Sequence, residues 1–384
     1  MVLITKNDAL REFCTRSSEA EFVTVDTEFL RDKTYWPILC LVQLGGPDEA
    51  AAIDAMADGL DLAPLFELMR DSSVLKVFHA GRQDFEIFFR QMGELPNPVF
   101  DTQVSAMVCG FGDSVGYETL VSQLLRKSID KTMRFTDWGH RPLSEKQLNY
   151  ALGDVTHLRE VYEKLRDKLE KNKRYHWVAE EIAHLNNPAI YQIDPRETWR
   201  RLKVRSTKPK FLAILQEVAA LREEEAQRRD IPRNRVLRDD ALTEIAAHAP
   251  KTLDDLSSLR ALHQGQAGGA MGEAILAAID RGNKMKNADY PVPARHRTLG
   301  TKNGPATDLL KVLLKVKCDA HGVAQKLIAN SDDIEAIAQD DNADVRALQG
   351  WRRDIFGNDA LALKHGRLAM TANGSKIQVV PIPG

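Results

Sequence analysis

No stretch of this 384-residue chain stays apolar over the roughly 18 residues that a membrane span requires. The N-terminus also lacks a basic segment followed by an apolar core and a cleavage site. A membrane partner is therefore not expected, and the cytoplasm is the expected location. Cysteine is scarce: Cys14, Cys40, Cys109 and Cys318 stand far apart with no C-x-x-C pair, which argues against both a disulfide framework and a zinc site. Net charge is almost absent, at -2, so the average favours no nucleic-acid partner. What remains, 43% hydrophobic and 28% charged residues, is the composition of an ordinary soluble globular protein. The length suits two to three domains at about 150 residues each.

The near-zero average hides an uneven distribution. Between Arg196 and Arg238 there are 13 Lys and Arg against 6 Asp and Glu, and between Arg281 and Lys317 there are 9 against 2. Such stretches can follow a phosphate backbone, or can be solvated helix faces.

The first half alternates strand and helix signals. Glu21 to Val25 and Ile38 to Leu44 read as strands, and the turn Gly45-Gly46-Pro47-Asp48 leads by a hairpin into a third at Ala50 to Asp54. Leu62, Leu65, Phe66 and Met69 have helical spacing before a strand at Leu75 to Phe78. Ser144 with Gln147 three residues later is a capping-box start for a long helix toward Lys171. This order predicts an α/β domain. Beyond about residue 200 strand signals disappear, and five helical segments follow from Phe211 onward, divided by a Pro-containing linker at Asn287 to Gly304. Val236 to Ala246 aligns without a gap on Ile328 to Ala338, as a duplicated small bundle would.

Two strings carry chemistry. In Val25-Asp26-Thr27-Glu28-Phe29, strand alternation sets Asp26 and Glu28 side by side; in Tyr150-Ala151-Leu152-Gly153-Asp154, helical spacing sets Tyr150 and Asp154 on one face. Asp84 opens an apolar helix after the Leu75 to Phe78 strand. Each has an ordinary reading as a polar strand face, a helix-terminal carboxylate or a surface pair. His79 is read as a structural hydrogen-bonding residue. Taken together in this order, however, the acids can meet at one edge of an α/β sheet. Crowded carboxylates call for bound cations, and oxygen-only ligands select Mg²⁺ or Mn²⁺ over zinc. A pair of such ions can hydrolyse a phosphodiester, with the Tyr150 phenol holding or helping to deprotonate the water. Gly153 weakens its helix locally and would permit close packing.

These strings, with His79-Ala80-Gly81-Arg82-Gln83-Asp84, resemble the three exonuclease motifs of the tyrosine-bearing branch of the DEDD superfamily. Phe135-Thr136-Asp137-Trp138 and Arg141-Pro142-Leu143 are similar to the approach to the third motif. With two helical modules behind the nuclease, the second including Gly350-Trp351-Arg352-Arg353-Asp354-Ile355-Phe356-Gly357, the order resembles the bacterial ribonuclease D family, whose modules are helicase-and-RNase-D C-terminal (HRDC) domains. The resemblance implies a ribonuclease-H-like mixed sheet flanked by helices over residues 1–200, a first all-α HRDC-like bundle at 201–290, and a linker with a second, more divergent one at 291–384. It implies that Asp26 bridges two divalent cations, Glu28 and Asp154 help hold the water-activating ion, Asp84 serves the second, and Tyr150 positions the water. The implied activity is a metal-dependent 3′→5′ exoribonuclease releasing 5′-mononucleotides from RNA with a single-stranded 3′ end, especially tRNA precursors.

Two rivals share these residues: a DNA 3′→5′ exonuclease, and a noncatalytic RNA-binding or helicase-associated module. The complete acidic set disfavours the second. No protein partner is deducible. On this reading, removing everything after about residue 200 weakens RNA binding more than chemistry.

Overall fold

The computed structural model describes residues 2–130, 132–292, 304–374 and 376–382. It divides into two compact units, one built from 1–28, 41–187 and 299–384 and the other from 29–40 and 188–298.

The first unit is organised by a six-stranded mixed sheet in the order β1-β4-β3-β2-β5-β6. The strands are β1 (Val2–Ile4), β2 (Phe22–Leu30), β3 (Ile38–Gly45), β4 (Ala50–Asp54), β5 (Leu75–Phe78) and β6 (Val99–Asp101). β3 and β4 form the expected antiparallel pair, while β2, β5 and β6 run parallel. β1, which the sequence reading omits, pairs with β4. The helices are α1 (Asn7–Ser17), α2 (Ala63–Arg70), α3 (Arg82–Met92), α4 (Thr102–Val108), α5 (Tyr117–Leu125), α6 (Glu145–Asn172) and α7 (Tyr175–Leu185). α6 starts at the Ser144/Gln147 capping box, with both reciprocal bonds made. It lies close to the sheet because position 45 is glycine: a Cβ there would stand 2.5 Å from Thr24 Oγ1 and 3.2 Å from the Val155 carbonyl. The Thr24 hydroxyl uses that approach to donate to the Val155 carbonyl at 2.7 Å. Arg159 donates to the Phe22 and Gly45 carbonyls. These bonds set the register of α6 against β2, with Val155 immediately after Asp154 and Thr24 two residues before Asp26.

Residues 304–382 belong to this same unit. They contain α14 (Gly304–His321), α15 (Gln325–Ile328), α16 (Ser331–Gln339), and a helical run of α17 (Gly350–Arg352), a π-helical stretch Arg353–Gly357 and α18 (Asn358–Lys364). Their apolar residues join one core with α4, α6 and α7. Trp351 stacks on Trp177, with centroids 4.1 Å apart and planes at 9°. Arg352, 1% exposed, donates to Glu180, Glu181 and the Leu327 carbonyl. One expectation is corrected here: the C-terminal half is not all helical. Leu368–Asn373 and Lys376–Pro381 form an antiparallel hairpin, β7-β8. Both strands are largely exposed, so they lack the buried face that marks a strand in sequence.

The second unit is helical in its described 188–292 part: α8 (Pro209–Arg228), α9 (Arg233–Val236), α10 (Asp239–His248), α11 (Leu253–Ser257), α12 (Gln264–Ala267) and α13 (Gly269–Lys284). α8 is its buried centre, and the two buried acids on it are matched by arginines: Glu217 pairs with Arg196 and Arg281, and Glu223 with Arg233. Six of the thirteen cations in the 196–238 stretch are in ion pairs of this kind. The Asn287 to Gly304 linker lies mostly outside the described residues. α8-α9-α10 and α14-α15-α16 repeat a long, a short and a medium helix in the same order. The aligned pairs Val236/Ile328, Leu242/Ile334, Ile245/Ile337 and Ala246/Ala338 are all buried.

Candidate active site

Asp26 and Glu28 lie on β2 and Asp154 on α6, and ligand oxygens of all three approach within 4.8 Å of one another. Asp26 and Glu28 are half-buried and Asp154 is buried. Asp84, in the first turn of α3, is buried; it falls outside that group of three, and its link to them is electrostatic, as the strongest neighbouring charge acting on Asp26. The Thr27 hydroxyl donates to Asp84. Tyr150, one helical turn before Asp154, hydrogen-bonds its carboxyl and lies beside the buried Trp138, 6.2 Å between centroids. Thus the strand period and the helix period each deliver neighbours to a common place. His79 stays outside the cluster, with its Nδ1 2.9 Å from the Thr102 hydroxyl.

Burial and mutual repulsion make these acids reluctant to ionise. Burial, then Asp154 and Asp84, push Glu28 up to about 9. Burial raises Asp154 to about 7 against the pull of Tyr150 and Arg134. Asp84 is pushed to about 6 by burial, opposed by its bonds from Thr27. Asp26 lies well above the usual carboxylate range, for burial and for Asp84, Asp154 and Glu28. Burial also raises the Tyr150 phenol, so it remains protonated at neutral pH. Buried carboxyls with so little local positive charge are a donor set for a cation, and an all-oxygen set fits a hard divalent ion.

Several supporting residues escape the sequence reading. Tyr117 donates its hydroxyl to the Asp154 carbonyl. Asp101 accepts from the amides of Ala80 and Gly81, fixing the turn that leads into α3, and caps α4. Asp54, at the end of β4, takes Arg141 bidentately at 2.6 and 2.8 Å, and Arg141 in turn donates to the Trp138 carbonyl. Only Asp101 carries a local signal, as an aspartate before a helix; the others act through long-range partners that spacing does not reveal. Gly153 is corrected: a Cβ there would meet nothing within 4 Å, so close packing is not its purpose.

Residues 1–170 match the family model described as 3′-5′ exonuclease, and residues 211–279 match that of the HRDC domain. The chain is 51% identical over 379 residues to ribonuclease D of Granulibacter bethesdensis, covering 98% of this chain and 96% of that one. Identity to ribonuclease D of Nitrobacter hamburgensis is 51% over 378 residues, 98% of each chain. The crystal structure of Escherichia coli RNase D, described as an exoribonuclease involved in structured RNA processing, superposes with a TM-score of 0.81 at 28% identity, over 95% of this chain and 98% of that one. With this acidic cluster, and with likeness extending over nearly the full length, the chain belongs to the ribonuclease D family of 3′-5′ exoribonucleases.

Proposed function

We propose that this chain shortens RNA from its 3′ end through two Mg²⁺ or Mn²⁺ ions held by Asp26, Glu28, Asp84 and Asp154, releasing 5′-mononucleotides. The observation that carries this reading is the approach of Asp26, Glu28 and Asp154 within 4.8 Å. Asp26, electrostatically central to the set, would be shared between the ions; Glu28 and Asp154 would hold the one that activates the water, and Asp84 would serve the one that stabilises the leaving oxygen. When bound, the ions supply positive charge to the attacking and leaving oxygens. Tyr150, a phenol bonded to Asp154, positions the attacking water by hydrogen bonding. Thr27 keeps Asp84 aimed at the cluster, and the Arg141–Asp54 pair holds the Trp138 segment beside Tyr150.

The substrates we infer are structured RNAs with single-stranded 3′ tails, tRNA precursors foremost, met in the cytoplasm. No described helix is long and apolar enough to cross a membrane. We also read residues 291–384 as a second HRDC-like module after a nuclease at 1–200 and a first module at 201–290; the repeated helix order and the matched buried positions support this. The test uses an end-labelled tRNA with a short 3′ extension and a matched DNA tail, with Mg²⁺, Mn²⁺ or chelator. Metal-dependent mononucleotide release from the RNA is expected. Preference for the DNA tail, or turnover that persists in chelator, would overturn the assignment.

A further inference from the structure

Phe135, 90% exposed, is the most exposed large apolar residue among those described, yet the turn that carries it is firmly held. The Thr136 amide and hydroxyl both donate to the Met133 carbonyl, at 3.2 and 2.8 Å, closing the chain around Arg134 and Phe135. Gln147, in the first turn of α6, donates to the Thr136 hydroxyl at 3.2 Å and to the Asp137 carbonyl at 3.4 Å. Trp138, next along, is buried beside Tyr150. The turn is thus tied to the helix that carries Tyr150 and Asp154, while the ring of Phe135 stays in solvent.

Arg134 joins this ring to the acids. Its guanidinium stands over the Phe135 ring, 5.2 Å from the centroid, and its positive charge is felt by Glu28, Asp154 and Tyr150 alike. The side chain is exposed and makes no ion pair or hydrogen bond among the described residues. A single exposed apolar residue is ordinary. A free aromatic face beside an unengaged guanidinium, at the rim of a carboxylate cluster, is the pair of groups that holds single-stranded nucleic acid, with a base on the ring and a phosphate on the cation. Stacking is tolerant of sequence because every base has a π-face, which suits removal of one nucleotide after another. The groups on which Arg134 acts are those assigned to the attacking water. That water lies opposite the leaving oxygen of the penultimate sugar, and so on the side of the terminal nucleotide.

We propose that the Arg134–Phe135 turn clasps the 3′-terminal nucleotide of the RNA, the ring stacking on its base and the guanidinium donating to its phosphate. This rests on the reading of the acids as an exonuclease centre. The test measures binding by the full chain in Mg²⁺, as the anisotropy of a 5′-labelled oligoadenylate whose last linkage is non-hydrolysable. Two forms of the probe are compared, one ending in adenosine and one ending in the same sugar without its base. The parent should prefer the adenosine end by about tenfold. Phe135→Ala should lose that margin by weakening the adenosine form alone, whereas a merely structural role would weaken both forms equally. Phe135→Tyr, which keeps a face for stacking, should retain the margin. Arg134→Gln should weaken both forms and lower the salt slope by about 0.7, for one lost phosphate contact. Equal binding of the two forms by the parent, an undiminished margin in Phe135→Ala, or parent-like affinity and slope in Arg134→Gln would overturn the clasp. Metal-dependent mononucleotide release from ordinary oligoadenylate, followed in the same parent preparation, separates such a failure from failure of the exonuclease reading.

Discussion

At the scale of single residues, the acids at the site differ in what they do to stability and to metal binding. Carboxyls titrate near 4 when the chain is unfolded, whereas burial holds Asp84 near 6, Asp154 near 7 and Glu28 near 9 in the folded chain without metal. Folded-state values raised in this way stabilise fully below the unfolded value, and that contribution is lost as pH rises through the folded ones. In chelator, therefore, Tm should fall from about pH 4 to about pH 9 more steeply in the parent than in Glu28→Gln, and saturating Mg²⁺ should reduce the difference because the cation replaces the protons. Calorimetric scans giving identical pH profiles for the two proteins would contradict the burial of these charges. Asp26→Asn should lose turnover while still binding RNA in a filter assay; full turnover at saturating Mg²⁺ would remove it as the bridge. Tyr150→Phe should slow single-turnover cleavage by about 10²-fold, and an unchanged rate would exclude water positioning. Asp26, Glu28, Tyr150 and Asp154 were legible because the periods of strand and helix are short-range geometry. Thr27, Tyr117 and Asp54 were not, because each acts on a partner that only the fold brings near.

At the scale of elements, α6 carries two of the five proposed site residues, and its position depends on the glycine beneath it. Gly45→Ala would force a Cβ into Thr24 and the Val155 carbonyl. It should cost about 1–3 kcal/mol by overpacking, read by urea denaturation, and weaken metal binding by moving Asp154 away from β2; parent-like stability and affinity would show the approach to be dispensable. Gly153 is the opposite case. With open space around it, Gly153→Ala should stabilise the helix by about 0.5–1 kcal/mol, and a loss of stability would mean that the site does not tolerate even a methyl group. The long helix was readable from its capping box, and the β3-β4 hairpin from its Gly-Gly-Pro-Asp turn. The three-residue β1 was too short for a period to register. The β7-β8 hairpin was missed although Asn373-Gly374 is a hairpin signal, because its mostly exposed strands show no alternation of buried and polar positions.

At the scale of the whole molecule, the C-terminal helices are not simply an RNA-binding extension. Residues 304–382 share one core with α4, α6 and α7, closed by the Trp177–Trp351 stack and the buried Arg352–Glu181 pair. Truncation after about residue 200 should thus expose that core and leave Glu181 without its arginines, so the product should unfold or aggregate rather than merely bind RNA less well. A truncated chain with parent-like stability by calorimetry would contradict this. Charge counts along the chain could not foresee such packing, since they register a surplus without showing which arginines are already paired. The central claim is that separate acids on β2, α3 and α6 form one divalent-cation centre. It is tested most directly by electron paramagnetic resonance of Mn²⁺ added to the full chain with a non-hydrolysable RNA 3′ end bound. A spin-coupled pair of ions per chain, lost in Asp26→Asn, is the expected result; no bound Mn²⁺, or ions that remain uncoupled, would contradict a shared centre.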